Sequence, residues 1–287
     1  MAPYIGLIVT GRALQDFCVF LKTLQVWHPD ATLYIFTDTA TAPAIRELPF
    51  ELCTVHIKEC LDKYKGLTRQ TMEATPGTIY KTLWTDFMYE KVNVIEWMLG
   101  EKEEDKEKEA WFLDADIAFL APLPSIPSTA TVALSPHYIR PRDEALYGRY
   151  NGGFLWIRSK ALLEVWRVAG HTARFYEQSA LEEVAKEAGA SLHTFPIQVN
   201  FGWWRMIQST ESPLVIQSKF SLFRQEEGTG IRYDGHILQS IHTHWYDTTG
   251  DPAYFNQWIR AYCEKFRRHP PIQKFLNSIN LFVKKSV

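Results

Sequence analysis

The stretch AWFLDADIAFLAP, residues 110–122, decides how the chain is read. Four apolar or small residues run into Asp114 and Asp116, and a second apolar run closes at Pro122. Side chains alternate along an extended chain, so positions two apart share a side. The spacing predicts that both carboxylates project together from the C-terminal end of a buried strand. That end is where open α/β sheets bind ligands. Two carboxylates placed there are costly without a cation. Their hard oxygens suit Mg²⁺ or Mn²⁺, ions that leave positions free for phosphate oxygens. The competing reading is an Asp-x-Asp turn that caps the next element.

Outward from this stretch, short apolar runs alternate with helical patterns. Strands are expected at residues 4–9, 32–37 and 53–57, with helices at 13–27 and 42–48. One long helix is expected at 79–99, with Leu83, Phe87, Val94 and Met98 near one face. Strands alternating with helices predict an α/β fold around a mainly parallel sheet. In the second half, a strand at 151–158 precedes a helical stretch at 161–187, a strand at 236–245 and a helix at 252–267. Residues 101–109 are all charged and read as a solvated loop or frayed helix end. They are a poor domain boundary, because the strand that follows must pair with the sheet begun before them. One domain is expected.

The bulk properties narrow the function. A hydrophobic fraction of 46% over 287 residues is ample for a core. A formal charge of -2 argues against bulk binding to nucleic acid. Cys18, Cys53, Cys60 and Cys263 have no C-x-x-C spacing and read as free thiols in a reducing compartment. The N-terminal residues lack the positive region of a signal peptide. The uncharged stretch 117–139 carries Pro122, Pro124, Pro127 and Pro136, which argues against a spanning helix. A soluble, cytoplasmic protein is expected.

Three segments in order resemble the nucleotide-diphospho-sugar transferases of the GT-A fold. FLDADIAFLAP at 112–122 resembles their D-x-D segment. YNGGFLWIR at 150–158, with Trp166, resembles their N-[GS]-G-F strand followed by Arg and a helix carrying Trp. EQSAL at 177–181, then Phe195-Pro196 and Asn200-Phe201, resembles their D-Q-x-x-[LF]-N stretch. The pattern is most similar to the retaining branch that includes plant cell-wall xylosyl- and arabinosyltransferases, and more loosely to glycogenin-type enzymes. It departs from them at Glu177, where the family has Asp, and at Glu182, where it has Asn.

The resemblance implies a Rossmann-like, mainly parallel sheet flanked by helices, with a mixed acceptor-side region. The nucleotide-binding half would span about residues 1–122 and the acceptor-side half about 123–287. It also implies a metal-dependent glycosyltransferase using a nucleotide-sugar donor, with UDP favoured, and a glycan or glycoconjugate acceptor. A C-terminal His would complete the metal shell of Asp114 and Asp116. His242 is favoured as that ligand and His244 as a phosphate contact, or the reverse. Imidazole is a better ligand for Mn²⁺ than for Mg²⁺. The competing reading is a structural or surface histidine pair.

The same comparison places Thr10, Gly11, Arg12, Asp38 and Ala115 against the donor. A tight turn at Gly11 and a helix N-cap at Asp38 are the competing readings. Lys81, with Asp86, would face the nucleotide unless both are surface residues. No G-x-G-x-x-G is present, which disfavours a dinucleotide site. Asn151, Gly152 and Gly153 read as a close backbone approach to a ligand, with Asn as donor and acceptor for sugar hydroxyls. A turn or bulge competes. Trp203, Trp204 and Trp245 read as an acceptor platform or as core. Glu177 or Gln178 would steady the cationic centre of a retaining reaction, and Glu177 would be the base of an inverting one.

Two other function classes stay open. A sugar-phosphate nucleotidyltransferase would need a Gly-rich basic loop after the first strand, for which Thr10-Gly11-Arg12-Ala13 is meagre. A non-catalytic glycan-binding protein would need no metal shell. The C-terminal residues interleave Arg260, Lys265, Arg267, Arg268, Lys274, Lys284 and Lys285 with Phe266, Phe275, Leu276, Ile279, Phe282 and Val283. They read as a peripheral contact with an anionic membrane, or as apolar groups packed on the domain with charges outward.

Overall fold

The computed structural model describes residues 2–100, 109–223 and 230–280. The charged run at 101–108 and the tail residues Phe282, Val283, Lys284 and Lys285 lie outside the described residues. The strands are β1 (Tyr4–Ile8), β2 (Thr32–Thr37), β3 (Thr54–Glu59), β4 (Ala110–Leu113), β5 (Ile117–Phe119), β6 (Val132–Pro136) and β7 (Tyr150–Ile157). They continue as β8 (Leu192–Thr194), β9 (Phe201–Gly202), β10 (Phe220–Leu222), β11 (Ile231–Tyr233), β12 (His236–Ile237) and β13 (Ser240–His242).

Seven strands form the main sheet in the order β3-β2-β1-β4-β7-β6-β8. β1 pairs parallel with β2 and β4, β2 with β3, and β6 with β8, while β7 runs antiparallel to β4 and β6. The period of two along the central strands explains why helices cover both faces. Ala110 and Phe112 of β4, with Leu155 and Ile157 of β7, enter one core beneath the helices Glu90–Leu99, Lys160–Gly170 and Leu181–Ala188. Trp111 and Leu113, with Phe154 and Trp156, enter the opposite core beneath the helix Leu14–Trp27. A strand apolar on both sides must be sandwiched, and that is the α/β arrangement. The chain passes from β1 to β2 on one side and later returns with β4 on the other. A crevice therefore opens at the strand ends between them.

Three expected elements divide. The helix expected at 79–99 is two helices, Leu83–Met88 and Glu90–Leu99. Thr82 caps the first by accepting from Thr85 N, and the buried Asp86 carboxylate accepts from the backbone N–H groups of Thr78, Ile79 and Tyr80. That ties residues 78–80 into a loop. The helical stretch at 161–187 is interrupted between Gly170 and Leu181, where Trp166 Nε1 donates to Glu177 O at 2.7 Å. The strand expected at 236–245 is the two short strands β12 and β13.

Among the described residues, the C-terminal helices bury most of the apolar groups that membrane contact was expected to use. Phe275, Leu276 and Ile279 are buried in a third core with Trp245, Phe255 and Ile259, and of the described group only Phe266 is exposed. Among the described residues, no helix is long and apolar enough to cross a membrane.

Candidate metal and donor site

β4 ends at Leu113, and Asp114-Ala115-Asp116 forms the turn before β5. The two carboxylates meet through this turn and not by projecting from one extended strand. The turn is anchored by Asp114 N donating to Gly153 O at 2.8 Å. β5 then pairs antiparallel with β13, and the register sets His242 opposite Ile117. One strand pairing thus brings His242 onto the acidic turn. Its Nε2 lies 3.0 Å from Asp116 Oδ1 and 3.8 Å from Asp114 Oδ2.

The ligand atoms of Asp114, Asp116 and His242 all lie within 4.8 Å of one another. Two oxygens and an imidazole nitrogen at that spacing fit a divalent ion with bonds of about 2.1 Å. The surrounding residues support the fit. Asn200 Nδ2 donates to Ser135 Oγ and Asn151 Oδ1, so its Oδ1 faces His242 and accepts from Nδ1 at 3.1 Å. That hydrogen bond fixes the tautomer and leaves Nε2 as the ligating nitrogen. A Cβ on Gly153 would run into the Asp114 carboxylate and lie 2.7 Å from His242 Cε1. Only glycine leaves that space.

Electrostatics reinforce the geometry. Burial would raise the Asp116 carboxyl, but His242 and His244 beside it outweigh that and hold it well below the usual carboxylate range. His244 Nδ1 sits 3.0 Å from Asp116 Oδ2, and Asp116 pushes the His244 imidazole up to about 9. Burial first, and Asp116 second, push the neighbouring Asp16 up to about 7.

A lysine that sequence reasoning missed completes the centre. Lys91 is 3% exposed, in the first turn of Glu90–Leu99. Its Nζ lies 3.3 Å from Asp114 Oδ1 and 2.8 Å from Glu177 Oε1, and donates to Gly152 O at 3.1 Å. Burial lowers such an ammonium, but the two carboxylates outweigh burial and raise it. Glu177 is 1% exposed, and its burial raises it against the pull of Lys91. Lys91, Val94, Ile95 and Met98 stand at i, i+3, i+4 and i+7 on the buried face. A lysine on that face was the available signal, because a buried ammonium needs carboxylate partners. Lys81, the expected donor contact, is exposed on the loop before Leu83 and lies outside the cavity wall.

The acidic turn, both histidines, Lys91 and Glu177 face one cavity of about 920 Å³. Thr10, Gly11, Arg12 and Asp38 line it from the ends of β1 and β2, joined by Ala115, Asn151, Gly153, Glu177, Gln178, Trp203, Trp204, His242 and His244. Asp38 also holds the turn before the helix Ala42–Arg46, accepting from Ala40 N, Thr41 N and Thr41 Oγ1, while the N-cap position itself is Thr41. Gly152 stands behind the wall, against Glu177 Oε1. Gln178 Nε2 donates to Tyr147 O at 2.9 Å. Trp245 is not part of a platform. It is 2% exposed in the third core, its ring against Phe275, because the chain turns inward after His244, where the Trp245 backbone N–H donates to Asp16 Oδ1.

Arg205 braces the site from below. It is 1% exposed, and its guanidinium donates to the carbonyls of Pro136, His137, Ile197 and Asn200. Burial lowers it to about 9.

No family model and no curated protein matches the chain by sequence. Solved structures do match. The galactosyltransferase LgtC, in complex with donor and acceptor sugar analogues, superposes with a TM-score of 0.52 at 13% identity, over 89% of this chain and 94% of that one. The apo glycosyltransferase GlyE of Streptococcus pneumoniae TIGR4 gives 0.52 at 11% identity, over 100% of this chain and 64% of that one. The bifunctional glycosyltransferase WbbM gives 0.53 at 8% identity, over 96% of this chain and 51% of that one. Sheet order, crevice and structural neighbours agree that the chain has the GT-A fold of these glycosyltransferases.

Proposed function

We propose that the protein is a metal-dependent glycosyltransferase that moves a sugar from a nucleoside-diphosphate donor, UDP-linked, to a hydroxyl of a glycan or glycoconjugate, with retention of configuration. One observation carries the reading. Asp114, Asp116 and His242 converge at the C-terminal edge of the parallel strands, in the cavity that Thr10–Arg12 and Asp38 also line. Mn²⁺ or Mg²⁺ held by these three residues would neutralise charge developing on the departing diphosphate.

The chain's own residues supply the rest. Residues 10–12 and Asp38 bind the nucleotide, and Asn151 and Gly153 let the donor sugar approach the β7 backbone. Lys91 holds Asp114 and Glu177 in fixed orientation. Glu177 presents a buried negative charge, and Gln178, its amide nitrogen tied to Tyr147, offers its carbonyl oxygen. A general base needs a free lone pair within reach of the acceptor hydroxyl. Glu177 is committed to Lys91 at 2.8 Å, which supports retention over an inverting role for it. Trp203 and Trp204 form the acceptor wall. We place the whole in one domain, donor half before acceptor half. A cytoplasmic location is part of the same proposal, supported by four free cysteines.

The test is a thermal-shift screen with Mn²⁺ across UDP-, GDP- and dTDP-sugars, followed by proton NMR of the product. A ligand bound to the native state raises the melting temperature with concentration. A shift with a UDP-sugar that chelation abolishes, and an unchanged anomeric coupling, are expected. No shift with any donor would overturn the reading.

A further inference from the structure

The metal cluster takes up only part of the cavity's lining. Where residues 61–88 contribute, the wall changes chemistry. It is built there from Leu61, Tyr64, Leu67, Met72, Trp84 and Phe87. The rings form a continuous band. Tyr64 and Phe87 have centroids 5.0 Å apart, Phe87 and Trp84 5.4 Å, Trp84 and Tyr176 6.1 Å, and Tyr176 and Phe175 4.3 Å. The band ends beside Glu177, at the centre of the site.

Most polar groups along this band are already committed; the exception is Trp84 Nε1, which is buried without a hydrogen-bond partner among the described residues. Tyr64 OH donates to Glu90 Oε1 at 3.1 Å. Arg69 donates to Glu73 and Tyr176, and its guanidinium stacks over the rings of Trp84 and Tyr176 at 5.2 and 5.3 Å. Tyr176 OH closes the same circuit on Glu73. A sugar ring brings hydroxyls that need partners, and burying them unpaired is costly. This arm has few partners to give. The polar part of the lining has many, in Thr10, Arg12, Asp38, Asp114, Asn151 and Gln178. At about 920 Å³ the cavity is also near the top of the ~300–1,000 Å³ range of small-molecule sites, with room for more than a donor.

We propose that this arm binds an apolar aglycone, so that the acceptor is an amphiphile, a sugar carrying an alkyl or prenyl chain, and not a free oligosaccharide. The proposal rests on the transferase reading and specifies its acceptor. The band leads the chain away from the metal while its sugar end lies beside Glu177 and Gln178. Each methylene buried there strengthens binding roughly fourfold.

The test compares two probes by calorimetry: n-octyl β-D-glucopyranoside below its micelle concentration, and methyl β-D-glucopyranoside. The octyl glycoside is expected to bind at least tenfold more tightly. Trp84→Ala and Leu67→Asp are each expected to erase that preference, while melting temperature and the UDP–Mn²⁺ thermal shift stay near wild type. Leu67 is only half-buried, so its variant keeps the test open if Trp84→Ala misfolds. Equal affinity for the two glycosides, or a preference that survives both variants, overturns the proposal. The UDP–Mn²⁺ arm separates the two readings. A preference without a nucleotide shift leaves an apolar site and removes the transferase. A nucleotide shift without a preference keeps the transferase and removes the amphiphile.

Discussion

His242 Nδ1 donates to Asn200 Oδ1 across 3.1 Å, and this one contact determines which imidazole nitrogen faces Asp114 and Asp116. Asn200 is fully buried and is itself oriented by Ser135, Asn151 and, through its carbonyl, Arg205. Replacing Asn200 by Ala frees the ring to rotate and to exchange tautomers. Mn²⁺ affinity, measured by titration calorimetry, is expected to fall about 10–100-fold, the usual effect of losing such an orienting partner. The circular dichroism spectrum should be retained.

Asp116→Asn removes a ligand charge while keeping volume. Transfer, followed as release of nucleoside diphosphate, is expected to be abolished, because charge stabilisation by a metal is worth several kcal/mol at the transition state. Normal turnover of this variant in metal-depleted buffer would contradict the assignment.

Lys91→Met is expected to hurt folding as well as chemistry. The side chain is buried between two carboxylates, and its loss leaves Glu177 charged and unpaired in the interior. Breaking a buried pair in this way costs about 3–5 kcal/mol. Urea denaturation should show a loss of that size. A loss below about 1 kcal/mol would place the lysine in solvent.

His137 gives the protein an acid-sensitive stability. Burial lowers its imidazole from 6.5 to about 4, with Nδ1 donating to Gly148 O at 2.9 Å. Between those values the unfolded chain binds the proton and the folded one does not. Stability is therefore fully present above about pH 6.5 and declines as pH falls toward 4, by at most about 3 kcal/mol. His137→Gln should flatten that part of the pH–stability curve in denaturant titrations.

The sheet was readable because β4 and β7 are apolar on both faces, a pattern that demands helices above and below. The acidic turn was readable because a run of apolar residues stops abruptly at Asp114. What escaped were features set by tertiary contact. Lys91 was hidden because a charged residue on a helix reads as solvated until its i+3 and i+4 neighbours prove buried. The helix break near Tyr89 has no proline or glycine to mark it. The late start at Leu83 follows from Asp86 gathering the N–H groups of residues 78–80 into a loop. Trp245 was misjudged because a tryptophan beside two cavity-lining histidines looks the same in sequence whether the chain then turns toward the cleft or toward the core. The apolar members of the C-terminal segment posed a similar problem, since their period fits an amphipathic helix on a lipid surface or on a protein core.

The origin of the three candidate metal ligands has a mechanical consequence. Asp114 and Asp116 belong to the turn leaving β4, whereas His242 arrives from the far half of the chain on β13, a strand held by short ladders to β5 and β9. An ion gripped by all three would act as a clasp between those halves, adding side-chain bonds to the β5–β13 ladder that already closes the long loop. Chelation would then do more than silence chemistry. It would loosen the Ser240–His242 strand first and leave the seven-stranded sheet intact, so that amide exchange along β13 would report whether the clasp is fastened.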